Sequence, residues 1–242
     1  MNKVSVIIPA RKEPYLDRTI REIQEKFTGD YEIIVTLDGA NADRINDVFY
    51  IYNKESLGMR TAINQAVSIA EGKYLMKLDA HCMLDKGIDE KLKKVHQPNW
   101  VQIPTRKRLD AKNWKISEPE RPFINYMSLT SDFVGFKNGT KNRSPELAKK
   151  LLDDTETFQG SCYFIEREYF EKLGLLDDKN FAGSGHEAQE ITFKVKHDGG
   201  RIIRNKTTWY AHARLSRKFS TDKTKSREYI FKLAEECGVK SK

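Results

Sequence analysis

Apolar and polar positions change period several times in the first hundred residues, and each change marks an element. Val4 to Ile8 is a short apolar, β-branched run stopped by Pro9. Tyr15 to Phe27 then places Leu16, Ile20, Ile23 and Phe27 at helical spacing. Glu32 to Leu37 is a second buried strand ending in Asp38-Gly39, and Val48 to Tyr52 is a third. Helical periodicity returns from Gly58 to Ala70 through Ala62, Ile63, Ala66, Val67 and Ala70. Tyr74 to Leu78 is a fourth strand. Strands alternating with helices over short connections predict an α/β fold with a mostly parallel sheet covered on both faces, where ligands gather at the carboxyl ends of strands. The turns at 9 to 13, 38 to 40 and 79 to 81 fall at that edge.

The pattern weakens from 98 to 158, which reads as a peripheral insertion with short strands near Val101 to Pro104 and Phe133 to Phe136. It returns with a strand at Ser161 to Ile165, a helix from Glu166 to Leu173, a glycine-rich loop, and a helix from Glu187 to Lys196 closed by Gly199-Gly200. Arg201 to Arg204 and Thr207 to Tyr210 are expected as short strands that carry His212 back toward the sheet. A last helix is expected near Arg227 to Cys237.

Composition adds limits. With 38% hydrophobic and 32% charged residues, and no apolar run near the roughly 20 residues a bilayer span needs, no transmembrane segment is expected. The chain enters a strand almost at once, so the mature fold is expected to start at Met1. Three cysteines, Cys82, Cys162 and Cys237, form no CxxC pair and no even framework, which points to packing roles and a reducing, cytoplasmic setting. The net charge of +8 favours an anionic partner: a nucleotide, a nucleic acid or an anionic lipid or glycan.

The sharpest chemical signal is "KYLMKLDAHCML". Asp79 and His81 stand two apart where the apolar run stops, so in an extended segment both side chains leave the same face. A carboxylate with an imidazole suits a divalent ion such as Mn²⁺, or Zn²⁺. The competing reading makes Asp79 a turn cap and His81 a surface residue.

The neighbouring motifs bear on that choice. "SVIIPARKE", "IIVTLDGA", "SLGMRTAINQAVSIAEGKYLMKLDAHCML" and "GSGHEAQEITFKV" occur in the order and spacing of family-2 glycosyltransferases, which the chain resembles over about residues 3 to 215. "LDAHC", "GSCYFIEREYFEKLG" and "GHEAQEITFKVKHDGG" look like the DxH-bearing branch that includes polypeptide N-acetylgalactosaminyltransferase catalytic domains. The resemblance implies a GT-A fold over 1–215, with a nucleotide-binding half at 1–97, an acceptor half at 98–215, and a basic, partly helical tail at 216–242. It also implies a UDP-sugar donor and a metal, Mn²⁺ above all, held by Asp79, His81 and, from "TTWYAHARL", His212.

Further residues carry over by the same resemblance. Pro9, Ala10, Arg11 and Glu13 match the loop that wraps the nucleoside, although Lys12 stands where the family has asparagine. Asp38 matches the uracil-reading carboxylate, and an Asp-Gly turn cap competes with that role. Gly58, Arg60, Asp79 and Ala80 match the donor-binding segments beside the diphosphate, where an arginine fork suits oxyanions. Gly185 and His186 fall near the sugar or acceptor, Glu187 at the sugar-facing carboxylate, and Glu190 beside it as a second catalytic candidate. A carboxylate that deprotonates the acceptor implies inversion, and a different donor face implies retention; the sequence leaves both open. The branch's tryptophan before the glycines is replaced by Ala182-Gly183, which points to altered acceptor contacts. His96 and His197 read as helix-end caps.

The leading expectation is therefore a metal-dependent glycosyltransferase moving a hexose or N-acetylhexosamine from a UDP-sugar to an acceptor hydroxyl. Basic clusters at Arg106 to Arg108, Lys141 to Arg143 and Arg214 to Lys225, with Trp114 and Trp209 close in sequence, raise the alternative of a phage-type enzyme that glycosylates hydroxymethylated pyrimidines in DNA. A non-catalytic sugar-nucleotide or nucleic-acid binding module is the reading from another class. A nucleotidyltransferase would share the metal chemistry, but "IIPARKE" lacks its glycine-rich phosphate loop.

Overall fold

The computed structural model describes residues 2–117, 126–138, 144–181, 185–215 and 223–239. Lys141 to Arg143, Ala182-Gly183 and the part of the basic tail from Ser216 to Asp222 lie outside them. The first elements follow the periodicity closely: β1 (Val4–Ala10), α1 (Leu16–Lys26), β2 (Tyr31–Asp38), β3 (Phe49–Asn53), α2 (Met59–Ile69) and β4 (Tyr74–Leu78). Pro9 does not stop β1; the strand continues through it in parallel register to Ala10, opposite Leu37.

After β4 come β5 (Cys82–Leu84), α3 (Ile88–Lys94), β6 (Trp100–Asp110), β7 (Lys115–Ile116), the β8 (Met127–Leu129) and β9 (Phe136–Asn138) hairpin, α4 (Pro145–Lys149) and β10 (Leu152–Asp154). β11 (Cys162–Glu166), α5 (Arg167–Lys172), α6 (Glu187–His197), β12 (Arg201–Ala213) and α7 (Lys223–Glu236) complete the described chain. The two short strands expected at 201–204 and 207–210 are one strand, β12, with a register shift between Asn205 and Trp209. The strand expected near Val101 is also longer, because β6 runs on to pair with the far half of β12 and with β7.

One ten-stranded sheet organises the molecule in the order β10-β12-β6-β11-β4-β1-β2-β3, with β5 on β12 and β7 on β6. β3, β2, β1 and β4 are parallel to one another. β11 is antiparallel to both β4 and β6, which restores β6, and β12 parallel to it, to the direction of β4. The carboxyl ends of β4 and β12 therefore lie at the same edge of the sheet.

Alternation along β1 shows how the core is divided. Val4, Val6 and Ile8 point to one face, where Leu16, Ile20 and Ile23 of α1 and Ile88 and Leu92 of α3 cover them. Ile7 points to the other, against Ile63, Ala66 and Val67 of α2 and Ala188, Ile191 and Val195 of α6. A third cluster packs Ile230, Leu233 and Ala234 of α7 onto Phe193 of α6 and onto Phe133 and Phe181. The three cysteines are free thiols, two of them buried in packing positions.

His96, read from sequence as a helix-end cap, is instead enclosed between the rings of Tyr74 and Phe164, and its Nδ1 takes the Gln102 side-chain amide at 2.7 Å. Burial pushes its pKa down from the usual 6.5 to about 4. A depressed folded-state value means that His96 favours folding while neutral, and that this contribution is lost as the pH falls from about 6.5 toward 4. Urea unfolding at pH 7 and pH 4.5 should show the wild type losing about 1–3 kcal/mol more than His96→Asn does over that interval.

Candidate active site

Asp79 and His81 occupy the turn between β4 and β5, and His212 is the penultimate residue of β12. β5 pairs antiparallel with β12 so that Cys82 faces His212, and the Ala213 amide donates to the His81 carbonyl at 3.1 Å. This pairing brings together residues 131 positions apart. The His212 Nε2 lies 3.0 Å from Asp79 Oδ2, the His81 Nε2 is 4.0 Å from the same oxygen, and the two imidazole centroids are 4.5 Å apart. One ligand atom from each of Asp79, His81 and His212 falls within 4.8 Å of the others. Among the described residues, no other group of three such side chains is so close.

The surroundings of each ligand test whether a cation fits. His81 directs Nδ1 at Glu13 Oε2, 3.2 Å away, so this ring nitrogen donates to the carboxylate and Nε2 is the nitrogen turned toward Asp79. That carboxylate–histidine pair is the usual way a protein fixes the tautomer of a metal-binding imidazole. Glu13, read from sequence as a nucleoside-loop residue, is thus a partner of His81. His212 differs: its Nδ1 meets Arg106 Nη2 at 2.9 Å. A guanidinium only donates, so Nδ1 accepts and the proton sits on Nε2, toward Asp79. An ion on Nε2 would move that proton to Nδ1 and break the Arg106 contact. Burial opposes the charge on Asp79, but the Lys77 ammonium and then His212 hold its carboxyl below the ordinary range. A mixed oxygen–nitrogen set built around an ionised carboxylate suits Mn²⁺ or a similar divalent ion.

Lys77 was read from sequence only as part of a buried strand. Its ammonium donates to Asp79 Oδ1 at 2.6 Å, to the Gly160 carbonyl at 2.7 Å and to Glu187 Oε1 at 3.1 Å. The signal was available: Lys77 interrupts "YLMKL" two positions before Asp79, hence on the same strand face. Glu187, at the first turn of α6, fits against Lys77 because residue 160 is a glycine; a Cβ there would meet the Glu187 carboxylate. Burial pushes the Glu187 pKa up, and its Oε2 has no hydrogen-bond partner among the described residues. The same is true of the Tyr163 hydroxyl, which lies within the electrostatic reach of Glu187 and Lys77.

Glu190, three residues along α6, is placed quite differently. It is fully buried; Oε1 accepts from the Asp177 amide and from Lys194 Nζ, both at 2.7 Å, and Oε2 from Arg60 Nε at 3.2 Å. Arg60 also donates to the Gly185 carbonyl at 2.6 Å and stacks on Phe181, its guanidinium carbon 3.7 Å from the ring centroid. These contacts tie α2, α6 and the loop before α6 into one buried unit. His186 enters α6 with φ of 58°, and burial lowers its pKa.

Asp38 ends β2 with both oxygens engaged, accepting from Asn53 Nδ2, Ser56 Oγ and the amides of Leu57 and Gly58 at 2.7–3.2 Å. Burial acts against its charge, yet these donors hold its pKa below the usual range. Four donors match the four lone-pair directions of a carboxylate, so a base N–H would have to displace one of them. Gly58, at φ of 98°, starts α2 in a conformation that disfavours a side chain. At the end of β1, Pro9 is half-buried, Ala10 is buried and Arg11 is exposed; Ala80 is buried between Asp79 and His81.

An α/β sheet with a carboxylate–histidine cluster at its carboxyl edge places the cluster where such sheets bind their ligands. Residues 5–174 match the Glycosyl transferase family 2, and the chain belongs to that family. It is 28% identical over 159 residues to polypeptide N-acetylgalactosaminyltransferase 3 of Taeniopygia guttata, covering 63% of this chain and 26% of the relative. It is also 28% identical over 232 residues to probable N-acetylgalactosaminyltransferase 6 of Caenorhabditis elegans, covering 82% of this chain and 35% of that one. Among solved structures, GalNAc-T7 with UDP, GalNAc and Mn²⁺ superposes with a TM-score of 0.81 at 20% identity, over 97% of this chain and 48% of the other. S. aureus TarS 1-349 superposes at 0.61 and 14% identity, over 98% and 64%. The chain thus spans only about a quarter to a third of the length of these curated relatives, and the solved structures share its GT-A fold.

Removing Glu190 strips Arg60 and Lys194 of a common buried counter-charge. Glu190→Ala should lower stability by about 3–5 kcal/mol, read from the urea midpoint.

Proposed function

We propose that this chain is a metal-dependent glycosyltransferase that moves a hexose or N-acetylhexosamine from a UDP-sugar to an acceptor hydroxyl. The observation that carries the reading is the convergence of Asp79, His81 and His212 within 4.8 Å, with His81 held in the metal-binding tautomer by Glu13, beside the buried carboxylate of Glu187. A divalent ion bound there would act as a Lewis acid on the diphosphate, whose charge grows as the sugar bond breaks.

The protein groups divide the remaining work. Asp79, His81 and His212 would hold the ion, and Arg106, once released from His212, would be available for an oxyanion. Pro9, Ala10, Arg11 and the Asp38–Gly58 turn border the carboxyl ends of β1 and β2, where a nucleoside would rest. Asp38 acts there by holding residues 56–58. Of the two acidic residues on α6, Glu187 is the one with an oxygen to offer a sugar or acceptor hydroxyl, because both oxygens of Glu190 are bound within the protein. The likeness of this chain to the N-acetylgalactosaminyltransferases named above supports the same donor class.

A second reading concerns the acceptor. Lys107 lies over the Trp209 ring, 4.8 Å from its centroid, and Arg106 touches His212, so the basic stretch on β6 borders the cation site. Cations interleaved with an indole suit a polyanion with stacking bases, which favours a nucleic-acid acceptor. Among the described residues no helix is long and apolar enough to cross a membrane.

Release of UDP from UDP-sugars should require Mn²⁺, stop with a chelator and resume on adding the ion. Asp79→Ala should reduce it by about a hundredfold or more; undiminished release by that variant would refute the metal assignment. For the acceptor, binding to DNA should fall with a log–log salt slope of about −3 or steeper, and Lys107→Ala should flatten that slope by about one. No affinity for DNA at low salt would remove the nucleic-acid reading.

A further inference from the structure

Lys77 is the most costly residue of β4. Its side chain is 2% exposed in the centre of a sheet, where an unpaired ammonium is unfavourable by several kcal/mol. An apolar residue would serve the strand at least as well, since buried ion pairs replaced by well-packed hydrophobic side chains are often neutral or better for stability. The charge therefore calls for a reason other than packing. Its three donors supply one, because each is spent on an acceptor from a different segment: Asp79 at the end of β4, Gly160 ahead of β11 and Glu187 at the start of α6.

The consequence lies in which oxygens remain. Lys77 takes Oδ1 of Asp79 and leaves Oδ2, the oxygen that faces His81 and His212. It takes Oε1 of Glu187 and leaves Oε2, buried and without a partner among the described residues. Two carboxylates that would otherwise repel each other are thereby oriented before any ligand arrives, and each presents one oxygen.

We infer that Lys77 is a positioning residue: its single buried ammonium fixes Asp79 and Glu187 in their working orientations and weakens the hold of their combined charge on a divalent cation, keeping that ion exchangeable. The affinity part rests on Asp79, His81 and His212 being ligands of the ion. The pinning part does not, because it concerns the metal-free protein. A fixed positive charge 2.6 Å from the ligand carboxylate opposes a second cation on the same group, so the two compete for one site of negative potential.

The test is a double-mutant cycle with two readouts. In chelator, Lys77→Met should lower the urea midpoint markedly, and Lys77→Met/Glu187→Gln should recover at least half of that loss, since the second change removes a carboxylate the first left unpaired. Mn²⁺ affinity, read from the electron paramagnetic resonance signal of the free ion, should become at least tenfold tighter in Lys77→Met and stay within threefold of wild type in Lys77→Arg. A purely structural lysine would not tighten metal binding when removed. If Lys77→Met does not fold, the double variant compared with Glu187→Gln alone carries the same tenfold expectation. Additive stability changes would overturn the pinning, and unchanged or weaker Mn²⁺ binding would overturn the control of affinity. A wild-type chain that binds no Mn²⁺ sinks the ligand assignment and the affinity part with it, while the stability cycle in chelator still decides the pinning.

Discussion

The site depends on one backbone pairing. β5 is three residues long, yet its antiparallel register with β12 places Cys82 opposite His212 and lets the Ala213 amide close on the His81 carbonyl. Without it, no backbone pairing would tie the turn after β4 to the end of β12. The pairing holds because β12 is thirteen residues long and is gripped along most of its length by β6, on a sheet where both β4 and β12 end at the same side. Length in β12 gives reach, and direction gives convergence.

A second constraint is electrostatic. Asp79, Glu187 and Glu13 bring three carboxylates into a small, mostly dry volume, which no fold tolerates without compensation. The compensation is distributed. Glu13 is matched by the Nδ1 proton of His81, and Glu187 and half of Asp79 by Lys77. The other half of Asp79 is met by His212, whose far nitrogen is in turn met by Arg106. In this chain of contacts only the link through His212 must change for an ion to enter, because only there does a donor face the nitrogen that would need to carry the proton. Glu13 and Lys77 can keep their places, so the cation would arrive at a framework two-thirds assembled.

Much of this was legible in the residues, for physical reasons that also explain what was not. The periodicity of Val4 to Leu78 reports burial on one or both faces, and burial is what the fold uses there; hence β1 to β4, α1 and α2 appeared nearly at their true limits. Asp79 and His81 stood out as a carboxylate and an imidazole two positions apart where an apolar run stops, and His212 was reached through the resemblance carried by "TTWYAHARL". β5 was missed because three residues are too few to show a period. β12 was split because the irregularity between Asn205 and Trp209 breaks alternation while leaving the strand intact. Lys77 was passed over as one charge in an apolar run, although its two-residue offset from Asp79 was visible. Arg106 and Glu13 escaped because their roles are defined by contacts across the sheet, to His212 and His81, that no local pattern encodes.

Glu187 and Glu190 show why spacing on a helix suggests roles but does not assign them. Three residues apart on α6, they share its first turn and both stand where a carboxylate offsets the helix dipole. The roughly 60° that separates them around the axis is enough to send one toward β4 and the other toward α2. Glu190 meets a guanidinium, an ammonium and a backbone amide, which satisfy both its oxygens and make it a joint between helices. Glu187 meets one ammonium and a glycine, which hold it by a single oxygen. The difference between them comes from the facing residues: Arg60 and Lys194 complete one carboxylate, while Gly160, by lacking a side chain, makes room for the other and leaves it incomplete. A carboxylate left one oxygen short, in a place water reaches poorly, carries a desolvation cost that its neighbours offset only in part.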